Sequence, residues 1–251
     1  MWPPFFFLNI VVPLLFSTAF YNFFMKAIIA AAGEGKRMLP LTLEKPKPML
    51  EVLGKPLLAY ILESLPDEID EVLMVVGYKR EIIQNYFGES YQNKKITYIV
   101  QEKKTGTGDA VLLCKPYLKE GERFLLSWAD DIYDKGSIER CLTHEYCFLV
   151  VDAEDPRRYG VVLLNDDGSI KELKEKPEHP KSNTIAPGIY IIDTSIFNYS
   201  PGVIHGENHL TPMLDQFIRN HKVFTERAHF WITIGFPDDL RVAEEKMKSR
   251  I

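Results

Sequence analysis

The stretch from Lys26 to Leu50 limits the fold more than any other part of the chain. It reads Lys-Ala-Ile-Ile-Ala-Ala-Ala-Gly-Glu-Gly-Lys-Arg-Met-Leu-Pro-Leu-Thr and resumes after Leu43 as Glu-Lys-Pro-Lys-Pro-Met-Leu. The apolar run Ala27 to Ala31 breaks into Gly33, Gly35, Lys36 and Arg37, the pattern of a buried strand ending in a loop that something approaches closely. Glycines there permit φ > 0 and leave backbone N–H groups uncovered, so the loop can wrap an anion. Lys36, Arg37, Lys45 and Lys47 add positive charge, which suits a polyanion. The glycines could equally just turn the chain, and Lys-Pro-Lys-Pro could be a solvated edge; a lone Gly-x-Gly decides little. The run is not a P-loop, since no Gly-Lys-Ser/Thr follows at the required spacing. Nor is it the dinucleotide fingerprint, since Leu39 and Pro40 fill the region of its third glycine.

With 251 residues, 46% apolar and 26% charged, the chain can fill one sizeable α/β core. A net charge of −5 argues against nucleic acid, which needs a basic face. Cys114, Cys141 and Cys147 contain no Cys-x-x-Cys pair and indicate neither a zinc site nor a disulfide framework, as in a cytoplasmic protein. Residues 1–24 form an apolar leader without a charged side chain. Its length approaches the roughly 20 residues of a membrane span, but it lacks the basic start of a secretory signal. An anchor, a poor signal and translated sequence upstream of a start at Met25 are the three readings, the last preferred because Met25-Lys26 leads straight into a strand. An anchor would tether the domain on the cytoplasmic side through Lys26, Lys36 and Arg37.

Beyond the loop, strand and helix patterns alternate. Pro56 stands at the first position of a helix striped by Leu57, Leu58, Ile61, Leu62 and Leu65. Strands follow at 71–76 and 96–100, with a helix through Ile82, Ile83, Tyr86 and Phe87 between them, and this order implies a parallel sheet. Gln101 to Val111 carries the second of these strands into a helix. Gly106 and Gly108 permit close backbone approach, Thr107 can cap the helix and Gln101 can hydrogen-bond a flat heterocycle, although an ordinary connection reads the same way. A fourth strand, 123–127, ends in Trp-Ala-Asp130-Asp131. Two acids at the carboxyl end of a parallel strand lie where open α/β sheets bind ligands, and a hard cation such as Mg²⁺ prefers such oxygens; Asp130 could instead cap the next segment. A helix from Ser137 to about His144 and a strand 147–151 follow. Then Tyr159-Gly160-Val-Val-Leu-Leu, the turn Asn165-Asp-Asp-Gly168 and Ile170 to Lys176 read as a hairpin. The chain closes with a helix, 237–248.

Ala31-Ala-Gly-Glu-Gly-Lys-Arg-Met, Pro40-Leu-Thr and Lys45-Pro-Lys-Pro-Met-Leu together resemble the signature of the sugar-1-phosphate nucleotidylyltransferases, or NDP-sugar pyrophosphorylases. Later segments match in the family's order from Met25 to about Glu245. The resemblance implies a Rossmann-like α/β fold: a mixed, mostly parallel sheet flanked by helices, with a β-rich sugar-binding part and no C-terminal β-helix. Residues 25–251 would be one domain, 25–153 binding nucleotide and 154–251 binding sugar phosphate. The implied partners are a nucleoside triphosphate, UTP or dTTP by preference, and a hexose 1-phosphate; nothing separates monomer from homo-oligomer.

By the same resemblance, Ala31, Ala32, Gly33, Gly35, Lys36, Gln101, Gly106 and Thr107 bind the nucleotide. Arg37 holds the β- and γ-phosphates, Lys47 the α-phosphate, and Asp130 the Mg²⁺ cofactor. The Gly160 backbone and Glu175 hold sugar hydroxyls and Lys176 the sugar phosphate. Lys104 replaces a second Gln found in some uridylyl-transferring members, which leaves the base open. Ala186 replaces the Asn of N-acetylhexosamine enzymes and favours a plain hexose. His209-Leu-Thr-Pro212 stands where members commonly show Glu-x-Thr-Asp. Trp231-Ile-Thr233-Ile-Gly235 resembles Trp-x-Asp-x-Gly, with Thr233 at the second metal-ligand position, where a hydroxyl is much the weaker donor. Either Asp130 and the phosphates hold the ion, or the chain is a catalytically weak, nucleotide-sugar-binding or regulatory subunit.

Overall fold

The computed structural model describes residues 24–204 and 206–249; the leader, apart from Phe24, lies outside the described residues. In chain order the strands are Met25–Ala31 (β1), Glu51–Val52 (β2), Lys55–Pro56 (β3), Ile69–Val76 (β4), Ser90–Tyr91 (β5), Lys94–Val100 (β6), Arg123–Trp128 (β7), Asp131–Tyr133 (β8), Cys147–Asp152 (β9), Gly160–Leu164 (β10), Ile170–Glu175 (β11), Thr184–Ala186 (β12), Ile189–Asp193 (β13), Gly202–Ile204 (β14), Glu207–His209 (β15), Phe224–Arg227 (β16) and Trp231–Thr233 (β17). The helices are Leu57–Ser64 (α1), Arg80–Phe87 (α2), Thr107–Leu112 (α3), Lys135–Leu142 (α4), Thr211–Asn220 (α5) and Pro237–Lys248 (α6).

One sheet runs β11-β10-β12-β9-β13-β7-β1-β4-β6-β5, with β16 also paired to β9. Its heart, β7-β1-β4-β6, is parallel, as the strand–helix alternation requires. Chain from beyond residue 153 returns to the middle: β13 lies antiparallel between β7 and β9. The β-rich arm of β10, β11 and β12 extends the same sheet by antiparallel pairing.

Side chains alternating along the strands feed two cores. Ala27, Ile29, Val72, Met74 and Leu125 face α1, α2 and α4. Ile28, Leu73, Val75, Phe124, Leu126, Phe148 and Val150 face α3 and α5. Phe124, Phe148 and Phe217 are wholly buried, each worth about 1.5–3 kcal/mol relative to exposure. A third cluster, Met38, Leu50, Leu57, Ile132, Ile232 and Ala243, packs the glycine loop and the β8–β17 pair beneath α6.

Local choices explain two shifted boundaries. Pro56 ends β3 and occupies the cap position of α1, so the helix starts at Leu57. Helix α4 starts at Lys135, earlier than expected, because the Asp134 carboxylate caps it by accepting the Ser137 N–H at 2.9 Å. Helix α6 begins and ends as its pattern requires. Among the described residues no helix is long and apolar enough to cross a membrane.

Candidate active site

Parallel strands β1 and β7 end, with the turn after β6, at a cleft of about 550 Å³, and the β10–β12 arm forms its far wall. All the residues read from the sequence as site residues line it: Ala31, Ala32, Gly33, Gly35, Lys36, Arg37, Lys47, Gln101, Gly106, Thr107, Asp130, Gly160, Glu175, Lys176, Ala186 and Thr233. Most of these segments, far apart in sequence, converge because they lie on or follow strands of one sheet; Thr233 comes from the separate β8–β17 pair.

The glycine loop is held from inside. Gly35 sits at φ +64°, and a Cβ there would lie 2.8 Å from the Lys47 Cβ. Only glycine lets the loop lie over the lysine stem. The Thr42 hydroxyl donates to the Gly35 carbonyl at 3.0 Å, and the Tyr78 hydroxyl donates to the Thr42 carbonyl at 3.1 Å. Gly33 is different: nothing lies within 4 Å of its would-be Cβ, so the backbone faces open cleft.

Lys47 is 8% exposed and donates its Nζ to Asp130 Oδ2 at 2.6 Å. Asp130 faces the cleft, whereas its neighbour Asp131 is 4% exposed. Burial pushes the Asp131 carboxyl up to about 7, and the Asp130 charge adds to the rise; Thr233, Trp231 and Lys47 pull the other way. Its Oδ2 accepts the Tyr133 hydroxyl at 3.0 Å, while Oδ1 and the Trp231 indole Nε1 are buried without a hydrogen bond of acceptable geometry. Thr233 stands opposite Asp131 in the antiparallel β8–β17 pair.

On the other wall, register aligns Glu175, Gly160 and Ala186 across β11, β10 and β12. The row offers a carboxylate, a bare backbone and a methyl group to the cleft. Glu175 Oε2 accepts the Thr211 hydroxyl at 2.6 Å, and Lys176 Nζ lies 3.5 Å from Oε1. Lys176 has φ +40°, uncommon for a side chain other than glycine, and donates its N–H to the Tyr159 carbonyl.

One sequence expectation changes here. Thr107 does not cap α3: Gly106 holds the cap position, and the Thr107 hydroxyl accepts the Leu210 N–H at 3.1 Å. Close approach at Gly106 and Gly108 comes from the chain itself, with Asn208 backbone against Gly106 and Pro201 against Gly108. The Gln101 Nε2 donates to the Gly106 carbonyl at 3.1 Å, which fixes the amide at the cleft edge. Sequence reading missed Trp128, Arg158, Tyr159, Glu207, His209 and Thr211 as lining residues. Arg158 carried the one usable signal, since Pro-Arg-Arg-Tyr leads directly into Gly160.

The nucleotidyl transferase family model matches residues 26–250. The UTP–glucose-1-phosphate uridylyltransferase AglF of Haloferax volcanii is 35% identical over 237 residues, covering 89% of this chain and 97% of its own. The chain belongs to the sugar-1-phosphate nucleotidylyltransferase family. The bifunctional protein GlmU of the same family, from Methanocaldococcus jannaschii, is 37% identical over 231 residues, covering 90% of this chain and 55% of its own; the chain thus spans about half the length of such bifunctional relatives. The fold recurs in UDP-glucose pyrophosphorylase, solved with UDP-glucose, at a TM-score of 0.79 and 23% identity, covering 90% of this chain and 99% of that one.

Proposed function

We propose that the chain transfers a nucleotidyl group from a nucleoside triphosphate, UTP or dTTP first, to a hexose 1-phosphate. The observation that carries the reading is the Lys47–Asp130 pair, set between the glycine loop and the Glu175–Gly160–Ala186 row of a single cleft. A lysine with little access to solvent, flanked by two binding walls, suits the junction of two anionic substrates.

The glycine loop and Gln101 would seat the triphosphate and base, and Glu175 and Lys176 the sugar phosphate. An oxygen of the sugar phosphate attacks the α-phosphorus; the bond from that phosphorus to the β-bridging oxygen breaks, and the electron pair leaves on pyrophosphate. No protein nucleophile is required, so the chain contributes alignment and charge. Lys47 would turn from Asp130 to the α-phosphate, drawing the two anions together, while Arg37 meets the charge growing on the leaving group.

The donor set fits a hard cation shared with substrate. Two neighbouring acids, Asp130 and Asp131, lie beside one lysine, and Asp130 opens onto the cleft. Among the described residues no group of three or more acidic, histidine or cysteine side chains could hold an ion unaided. Asp130 with phosphate oxygens would hold Mg²⁺, which neutralises phosphate charge when bound.

The test is pyrophosphate release by the full chain over a grid of nucleoside triphosphates and sugar 1-phosphates with Mg²⁺. Release that needs both substrates supports the reading and names base and sugar. Nucleotide-sugar binding without turnover across the grid would overturn it in favour of the regulatory subunit, the reading that Thr233 motivates.

A further inference from the structure

The cations of the cleft fall into two classes. Each lysine lining it already has a carboxylate: Lys36 with Glu34 at 3.1 Å, Lys47 with Asp130 at 2.6 Å, Lys104 with Glu207 at 3.2 Å and Lys176 with Glu175 at 3.5 Å. The two arginines that line it, Arg37 and Arg158, make no ion pair and no hydrogen bond among the described residues. Both pack on one ring, and Arg158 also lies over Tyr159, at 5.9 Å from its centroid. The Arg37 guanidinium carbon lies 5.4 Å from the Phe236 centroid and that of Arg158 lies 5.1 Å from it. Two acids lie near them, and neither pairs with either arginine: the Asp239 Oδ2 accepts the N–H groups of Gly235 and Phe236 at 2.7 and 2.8 Å, and Asp155 pairs with Arg157 at 2.7 Å.

Two guanidinium groups gathered at one ring, neither of them in an ion pair, repel each other, and a multiply charged anion relieves the repulsion. Their planar donor forks suit phosphate oxygens better than a point charge would. They also come from different walls: Arg37 from the glycine loop, Arg158 from the segment entering β10, and Phe236 from the start of α6. An anion bound to both would tie the two sides of the cleft together.

We propose that Arg158 is a second arginine for the terminal diphosphate, forming with Arg37 a clamp for pyrophosphate, and that Phe236 is the positioning residue that holds both guanidinium groups in place. This rests on the nucleotidyl-transfer reading for its biological substrate. The anion itself is testable apart from that reading, with inorganic pyrophosphate as the probe.

Binding of pyrophosphate, a nucleoside triphosphate and the matching monophosphate is measured calorimetrically on the full chain. Arg158→Ala weakens pyrophosphate and triphosphate by about tenfold or more and leaves the monophosphate unchanged, as loss of a charge-assisted forked contact requires. Arg158→Lys recovers part of the loss. Phe236→Leu, which keeps apolar packing and removes the π face, weakens the same two ligands, whereas Phe236→Tyr does not; a merely structural role would not produce that difference. The clamp is overturned if the unmutated chain binds no pyrophosphate, or if Arg158→Ala stays within about twofold for it. Turnover with an Arg158-insensitive pyrophosphate site removes the clamp and leaves the proposed function standing. Arg158-dependent pyrophosphate binding without turnover or nucleotide binding does the reverse.

Discussion

Gly106 shows how a single position can serve a site from behind. Its φ is +115°, and a Cβ there would run into the Asn208 carbonyl oxygen. Gly106→Ala therefore meets a backbone conformation and a backbone atom that cannot both yield; we expect a loss of about 2 kcal/mol or more in urea unfolding. Lys47 is the opposite case, a residue whose fold role is small beside its charge. Lys47→Met keeps the stem packed over Gly35, so the melting temperature should stay close to the original while turnover falls by about a hundredfold or more. Near-normal turnover would remove Lys47 from the site. Thr233→Asp places a third carboxylate beside Asp130 and Asp131; a rise in turnover together with tighter Mg²⁺ dependence would mark Thr233 as the lost ligand, and unchanged turnover would show that Asp130 and phosphate suffice. Charge and glycine spacing made Gly35, Arg37, Lys47 and Asp130 legible in the sequence. Trp128 was not, because its place in the cleft depends on strand pairing that no local pattern encodes, and the Pro-Arg-Arg-Tyr signal of Arg158 was there but was not taken up.

Among the elements, α4 offers a capping test with a pH dependence. The Asp134 carboxylate accepts the Ser137 and Phe230 N–H groups, each at 2.9 Å, and so ties the helix start to the segment before β17. Partial burial works to raise its pKa, but the Ser137 and Phe230 hydrogen bonds outweigh that and hold it below the usual value of 3.8. A depressed folded-state pKa means this stabilisation is present above 3.8 and is lost as pH falls through the lower folded value. Asp134→Ala should cost about 1–2 kcal/mol at pH 7 and less near pH 2, read from unfolding curves at the two pH values. An equal cost at both would refute the role of the charge. The α4 start went unread because the Asp134-x-x-Ser137 signal precedes the apolar stripe, whereas α6 was legible from Pro237 and its acidic first turn. The β10–β11 hairpin was legible from Asn-Asp-Asp-Gly, but the pairing of β10 with β12, which completes the sugar-side row, was not, since it skips over β11 and the loop after it.

Across the whole molecule, one sheet separates two cores, so damage to either face should be felt as loss of the same unit. Leu62→Ala on α1 and Phe217→Ala on α5 should each cost about 2–5 kcal/mol and leave a single cooperative transition in denaturant, followed by circular dichroism and tryptophan fluorescence. Two separable transitions would show that the faces unfold independently. Strand–helix alternation disclosed the parallel heart of the sheet. It could not disclose β13, whose position between β7 and β9 is a long-range choice. That placement has a consequence for the order in which the protein is made. A ribosome delivers β7 and β9 well before Ile189–Asp193, and until that strand emerges the gap between them exposes two unpaired edges and much of the apolar face that later covers α5. The nascent chain must therefore wait with its central seam open, a state prone to edge-to-edge association, and a chain terminated near residue 153 should aggregate instead of folding as a smaller domain.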